Sequence, residues 1–375
     1  MTRPPLAFYE FFAGGGMARL GLGAGWDCRF ANDFDPVKAA AYRANFGGDD
    51  FHQGDVFDLT ADDLPGLADL AWASSPCQDF SLAGARAGLA GGRSSALLGF
   101  WRLIAALNAA GRAPRAVVIE NVIGMLTSHG GRDFAAICGA LGAEGYRFGA
   151  LEIDAAAFLP QSRRRVFIVG ARDAPVGFAG EGAETTAIGR ARERLPAALR
   201  RLWVHWPSPL PDGRNVDLAA LLEPDEAVAW RSDAQTRHLI SLMDDRNRAR
   251  LEDAQRAPER RVGAVFRRVR ASGQRAEVRF DGLAGCLRTP RGGSSRQGLV
   301  VVQGGEVRSR LITPREAARL MGLPERYALP KPATAALQVA GDGVAVPVVR
   351  WLAATVLEPL LARSDKRPLK KSLAA

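Results

Sequence analysis

"FFAGGGMARLGL" (residues 11–22) is the stretch on which the fold turns. The apolar run Leu6–Phe12 reads as a strand, Gly14, Gly15 and Gly16 as a tight turn, and the residues after them as a helix. Such a turn lets backbone approach a ligand while the N–H groups of the helix face it. The pattern is not GxGxxG, which weakens a dinucleotide reading. A plain strand-to-helix loop is the competing reading.

The same rhythm continues to residue 175. Further strand candidates are Cys28–Asn32, Asp69–Ala73, Ala116–Ile119, Phe148–Ile153 and Val166–Val169, with helical patterns at Pro36–Asn45, Leu97–Ala109 and Arg132–Leu141. Alternation of this kind implies βαβ units and a mostly parallel α/β sheet. Ligands of such sheets bind at the carboxyl ends of the strands. From residue 176 the character changes. "GFAGEGAETTAIG" (177–189) reads as a linker or loop, followed by proline turns, basic runs and short strands. We therefore read 176–334 as a second, smaller and irregular domain, and 1–175 with 335–375 as the first. Val344–Leu361 is an apolar helical stretch, and the basic tail "SDKRPLKKSLAA" reads as a frayed end. There are no internal repeats.

At 375 residues the chain can bury a sizeable core, and 47% hydrophobic with 24% charged residues is ordinary for a globular protein. No apolar run reaches the roughly 18 residues of a bilayer span, and the N-terminus lacks a signal-peptide layout. The expectation is a cytoplasmic protein with no membrane partner. Four cysteines, at 28, 77, 138 and 286, form no CxxC pair, so neither a zinc site nor a disulfide framework is expected, and no metal. Cys138 falls on the apolar stripe of "FAAICGAL" and Cys28 in a strand, so both read as core. The net charge of +10 and pI of about 10.1 fit a nucleic-acid partner. A high-GC genome inflates arginine in the same way.

Polar residues cluster at the predicted strand ends. "ANDFD" (31–35) places Asp33 where an acid can accept from ribose hydroxyls, with Phe34 beside it to pack on a purine. "QGDVFD" supplies Asp55, within reach of an adenine amino group. In this order they fit a nucleoside cofactor such as S-adenosylmethionine. "VVIENV" sets Glu120 at the mouth of a buried strand, a candidate acid with a raised pKa or one half of a salt bridge. In "PQSRRRVFIVG" a period of two puts Gln161, Arg163 and Arg165 on one face and Arg164 on the other, forming a polar site or a solvated edge. Cys77, in "SSPCQDFS" (74–81), is a buried small hydrophobe or a nucleophile.

Together these blocks resemble the DNA (cytosine-5) methyltransferases. "FFAGGG", "ANDFD", "GDV", "PCQDFS", "ENV", "QSRRR", "RLITPREAARLMGLP" (310–324) and "GDGV" (341–344) occur in the family's order. The resemblance implies a Rossmann-like S-adenosylmethionine-dependent methyltransferase fold with a target-recognition domain between the sixth and seventh blocks. It implies that Cys77 is the nucleophile, that Glu120 engages cytosine N3, and that Arg163 and Arg165 complete the catalytic set. It further implies that Phe12, Ala13, Gly14, Gly16, Asp33, Phe34, Asp55, Pro76, Gly341 and Asp342 hold the cofactor.

The chemistry calls for these residue types. A thiolate adding to cytosine carbon 6 makes carbon 5 nucleophilic, a proton at N3 relieves the developing charge, and an arginine at O2 stabilises it. The base must leave the duplex stack to be reached. The Gly-rich "SLAGARAGLAGGRSS" (81–95) reads as a mobile loop that can close over DNA. Expected DNA contacts are Gln78, Ser81, Arg86, Arg93 and Gln161 near the site. In the second domain they are Arg267, Arg268, Arg288, Arg291, Arg296 and Gln297, where residues 255–279 carry eight arginines against two acids. A solvated basic face is the alternative there.

Three places depart from the family. Asp342 stands where Asn is usual, Cys286-Leu287 where a Thr-Leu pair is common, and "GGRSSALLGFWRLI" (91–104) matches only loosely. The expected enzyme is a monomer that modifies a short duplex DNA sequence, with a cognate restriction endonuclease as a partner to look for. tRNA methylation, a silent DNA binder and, more distantly, a nicotinamide oxidoreductase are the other readings.

Overall fold

The computed structural model describes residues 4–75, 96–174, 184–214, 216–270, 273–288 and 296–364. The first sheet is built from β1 (Leu6–Phe11), β2 (Trp26–Asp33), β3 (Phe51–Gln53), β4 (Leu70–Ser74), β5 (Ala116–Val122), β6 (Arg147–Asp154) and β7 (Arg164–Ala171). Its order is β3-β2-β1-β4-β5-β7-β6. All neighbours are parallel except β7, which runs against both β5 and β6. Between the strands lie α1 (Met17–Leu22), α2 (Pro36–Phe46), α3 (Ala96–Ala109) and α4 (Arg132–Ala143). The expected strands and helices are present with ends shifted by one to three residues. The short β3 was not anticipated, because "FHQ" is too brief to show a period.

Both faces of this sheet are covered, which is why its strands read as continuous apolar runs rather than alternating ones. Phe8, Trp72, Val118 and Phe167 face one layer, and Tyr9, Ala73, Ile119 and Ile168 the other. The second layer holds α3 and α4, through Leu97, Phe100, Ile104, Phe134, Ile137 and Cys138. The first holds α1 and the C-terminal helices. Helix α2 starts where Pro36 occupies the first turn and the Asp35 carboxylate accepts from the N–H groups of Val37 and Lys38.

Residues after 184 do not leave the first sheet at once. Helix α5 (Thr186–Glu193) buries Ile188 and Ala191 against it, and α6 (Ala197–Arg200) packs beside α4. Phe148 then exchanges hydrogen bonds with Leu202 and Val204. Packing against the first sheet thus continues past residue 176, as far as Trp206, whose indole donates to the Val169 carbonyl.

The second unit is more regular than expected. Strands β8 (Arg261–Arg270), β9 (Gly273–Arg279), β10 (Gly298–Gln303) and β11 (Glu306–Leu311) form an antiparallel sheet in the order β11-β10-β8-β9. Helices α7 (Asp233–Ser241) and α8 (Asp245–Arg256) cover one face through Leu239 and Leu251, with Met243 from the turn between them, and these meet Val265, Val278 and Val300. On the other face Ala264 and Leu299 join the main core.

The chain then returns through α9 (Pro314–Leu320), α10 (Ala333–Asp342), α11 (Val346–Leu352) and α12 (Glu358–Ser364). By length and composition the helical run 333–362 could cross a bilayer, contrary to the expectation that no segment could. Its apolar side chains are used otherwise: Val339, Val349, Leu352 and Leu357 are buried in the main core. The return is locked by Arg310 and Glu316, both fully buried and joined by two hydrogen bonds of 2.7 and 2.6 Å. Glu316 also accepts from the backbone of Glu223 and Thr313. Removing one partner of such a pair strands a buried charge at a cost of about 3–5 kcal/mol.

Beneath the glycine turn, Glu10 on β1 is buried, with one carboxylate oxygen on the Arg19 N–H and the other without a partner. Burial pushes its pKa up to about 8, against the pull of Arg19. Between the ordinary carboxylate range and that value the folded protein holds a proton that the unfolded chain releases. Stability is therefore full at low pH and lost as pH rises towards 8, by at most about 1.4 kcal/mol per unit. Urea unfolding at pH 5.5 and pH 8 should show this loss in the wild type and a much flatter profile in Glu10→Gln.

Candidate active site

The predicted site residues gather where β1, β2, β4 and β5 end. Phe12 leaves β1 with φ 57, a left-handed conformation costing a side-chain-bearing residue about 1–2 kcal/mol. Strain of this kind collects at functional sites. It turns the chain so that the Ala13 N–H donates to the Asn32 carbonyl and the Gly14 N–H to the Asp33 carboxylate, at 2.9 and 2.8 Å. The space over Gly14 is open, and a side chain there would meet nothing. Gly16 is needed for packing instead, because a Cβ would lie 2.3 Å from the Phe46 ring.

Asp33 is only 3% exposed, and its other oxygen accepts from the Asp35 N–H. Burial raises its pKa, while Lys38 and the two N–H groups oppose the rise. Beside it Phe34 is 66% exposed, a large aromatic face without cover. Asp55 is exposed and caps the Phe57 N–H. Asp342 does not stand alone at this end: Lys38 meets it at 3.0 Å, and Gln338 donates to Asp35. Lys38 was missed in the sequence because its partner lies 304 positions away.

Glu120 lies near the carboxyl end of β5, in register with Ser74 on β4 and Phe167 on β7. Its carboxylate meets Arg165 Nε at 3.1 Å. Burial raises its pKa, and Arg165, Arg163 and the Ser74 hydroxyl hold it back. The neighbouring Asn121 amide donates to both the carbonyl and the hydroxyl of Ser75. This anchors the chain two residues before Cys77. Pro76, Cys77, Gln78, Ser81, Arg86, Arg93 and Arg291 lie outside the described residues.

The side chains of "QSRRR" divide as the period of two requires, with Arg164 exposed and paired to Glu152. The inward residues do not share one task. Gln161 is fully buried: its amide donates to the Leu320 carbonyl and accepts from the Leu287 N–H. The expected DNA contact is thus corrected to an internal clamp. Arg163 is 2% exposed. It donates to Cys286 Sγ and the Leu287 carbonyl, and to the carbonyls of Gly341 and Gly343, at 3.3, 3.1, 3.0 and 2.6 Å. Burial and the charge on Arg165 lower its pKa to about 10. It remains a cation at neutral pH, acting as a strut that also fixes the backbone of Gly341. Arg165 is the one that stays partly open, beside Glu120.

In the second unit Arg267 and Arg288 are exposed and Arg296 is half-buried. Arg268 is exposed but tied to Glu277 at 2.8 Å. Gln297 is buried, its amide matching both backbone groups of Gly285, so it too is corrected from a DNA contact to an internal one. No cluster able to hold a metal occurs among the described residues.

The family model for C-5 cytosine-specific DNA methylase matches residues 6–358. The chain belongs to this family. It is 28% identical to the Type II methyltransferase M.HaeII of Haemophilus aegyptius over 94% of this chain and 92% of the relative. It is 25% identical to M.HhaI of Haemophilus parahaemolyticus over 93% of each. Among solved structures, the S. pombe Dnmt2 methyltransferase shares the fold, with a TM-score of 0.62 at 19% identity over 95% of this chain and 99% of the other. The protein is therefore a DNA (cytosine-5) methyltransferase of the methyltransferase α/β class, and family membership implies S-adenosylmethionine as donor and DNA as substrate.

The two inward arginines of this methyltransferase should separate under mutation. Arg163→Met removes four hydrogen bonds, two of them to the Gly341 and Gly343 carbonyls, and should cost about 3 kcal/mol or more in urea unfolding, with activity lost alongside. Arg165→Met should cost less than Arg163→Met in urea unfolding, because Arg165 makes fewer bonds and burial already favours a proton on Glu120, yet still lose methyl transfer.

Proposed function

We propose that the enzyme methylates cytosine carbon 5 within a short duplex DNA sequence, with Cys77 as nucleophile, Glu120 as the acid at N3 and Arg165 at O2. The observation that carries this reading is the Glu120–Arg165 pair beside the Asn121–Ser75 anchor, at the point where the chain enters Pro76-Cys77. Burial favours the protonated form of the Glu120 carboxyl, which suits a donor to N3, and a half-open guanidinium keeps N–H groups for a carbonyl oxygen. Asp33, the open space at Gly14 and the uncovered Phe34 ring suit a nucleoside with ribose hydroxyls and an aromatic base. Phe12, Ala13, Gly16, Asp55, Pro76, Gly341 and Asp342 complete the proposed cofactor seat.

When bound, S-adenosylmethionine supplies an electrophilic methyl group. The protein's part is to raise the nucleophilicity of the base. Cys77 thiolate adds to carbon 6, the electron pair moves toward N3, and Glu120 delivers its proton there while Arg165 holds O2. Carbon 5 is then enamine-like and can take a methyl group. Return of the N3 proton to Glu120, and loss of the carbon-5 proton to water with departure of the thiolate, restore the ring, the acid and Cys77.

Exposed Arg267 and Arg288, half-buried Arg296, and Gln78, Ser81, Arg86, Arg93 and Arg291 are the proposed DNA contacts. Two of its relatives are named as Type II methyltransferases, and the reading extends to a monomer acting in the cytoplasm on chromosomal DNA, alongside a cognate endonuclease or alone.

Base-resolution mapping of 5-methylcytosine, in DNA from cells lacking other cytosine methylation, tests this. Wild type should methylate one sequence context and Cys77→Ser none. Glu120→Gln should lower kcat by on the order of 10²–10³-fold. It should also remove the alkaline limb of the pH profile, since the carboxyl must be protonated to donate and that form is lost as pH rises. Methylation of tRNA but not DNA would overturn the substrate assignment.

A further inference from the structure

Cys286 is neither in the core nor turned away from the site. Its sulfur lies 3.3 Å from Arg163 Nη1 and 3.9 Å from Arg165 Nη2, with the Leu287 carbonyl 3.5 Å away as acceptor for its S–H. A guanidinium has five N–H donors in one plane. For Arg165, Nε is on Glu120 at 3.1 Å and Nη1 on the Arg164 carbonyl at 2.9 Å. Two anchors on adjacent nitrogens leave the far corner of the fork to swing. The sulfur is the third anchor, at that corner, and it is itself held by the buried Arg163.

We propose that Cys286 is a positioning residue for methyl transfer, whose sulfur sets the plane of the Arg165 guanidinium so that its remaining N–H groups meet the carbonyl oxygen of the target base. The proposal rests on the reading that Arg165 serves that base. It gives the departure from the Thr-Leu pair a physical content. Sulfur is large and weakly directional as an acceptor, so one atom can sit between two guanidinium groups that repel each other. The second unit thereby contributes a side chain to the aim of the catalytic arginine. A recognition segment displaced from its place would take Cys286 with it and slacken Arg165.

The test is a double-mutant cycle in single-turnover methyl transfer. The substrates are tritiated S-adenosylmethionine and plasmid DNA from a host without cytosine methylation, and the proteins are wild type, Cys286→Ala, Arg165→Lys and the double variant. Misaim of a catalytic group by a fraction of an ångström predicts a rate loss on the order of tenfold for Cys286→Ala at saturating DNA. Affinities for DNA and cofactor should stay within about twofold in this comparison, and the double variant should be no slower than Arg165→Lys. Cys286→Ser, which keeps an acceptor, should recover part of the rate. It also carries the same test should the alanine variant fail to fold. An unchanged rate overturns the proposal. So does a full loss repeated in the Arg165→Lys background, or a loss that disappears at saturating DNA. If Arg165→Lys is as fast as wild type, the role of Arg165 itself falls, and the proposal with it.

Discussion

The site depends on one buried guanidinium. Arg163 reaches the second unit through Cys286 and Leu287, and the returning helix through Gly341 and Gly343. Its own N–H and carbonyl are bonded to Asp154 and Ala155. Three stretches distant in sequence thus meet on one planar fork. A lysine could not replace it, because a single ammonium cannot point at carbonyls on opposite sides. A buried cation without a carboxylate is expensive, and here carbonyl dipoles and a sulfur take its charge. That arrangement leaves Arg165, the looser of the two cations, to make the direct ion pair with Glu120, while Arg163 acts on it only through its charge.

The cofactor end solves a different charge problem. Asp33, Asp35 and Asp342 lie close together, and an unanswered trio of carboxylates would repel. Lys38 is placed among them by the first turn of α2, and burial, which would lower its pKa, is outweighed by Asp342, Asp33 and Asp35. The unusual aspartate at 342 is thus matched by a lysine. The pair ties α10 to α2 across the mouth of the glycine turn, where Gln338 and Asp35 make a second tie.

The first sheet was legible because its strands are short apolar runs between helices with visible caps and glycines. The site was legible wherever one block carries its own chemistry, as at Asp33, Glu120 and Arg165. What sequence could not reveal was partnership over distance. Gln161 and Gln297 look like base-reading amides, but each is spent on backbone more than ten residues away. The resemblance grouped Arg163 with Arg165, and only burial sets the enclosed Arg163 apart from the half-open Arg165. The regular antiparallel sheet of the second unit was hidden because β8 and β9 are arginine-rich. Their apolar period of two is interrupted by long side chains that cover, rather than fill, the core.

That arginine-rich hairpin also limits how DNA can lie. Arg267 and Arg268 are adjacent on β8, so they leave the sheet on opposite faces. Val265 faces α7 and α8, whereas Phe266 packs toward the main core, which assigns Arg267 to the first face and Arg268 to the second. A duplex resting on one face engages one of them. Arg268 already has its charge answered by Glu277. Arg267 has Arg231 for a neighbour, and burial together with that like charge lowers the Arg231 pKa. A buried Arg231 nitrogen is without a hydrogen-bond partner. If this hairpin meets DNA as proposed, a phosphate beside Arg267 would offset that like charge, whereas Arg268 already has Glu277. The two arginines are indistinguishable in sequence, and only their partners in the fold separate them.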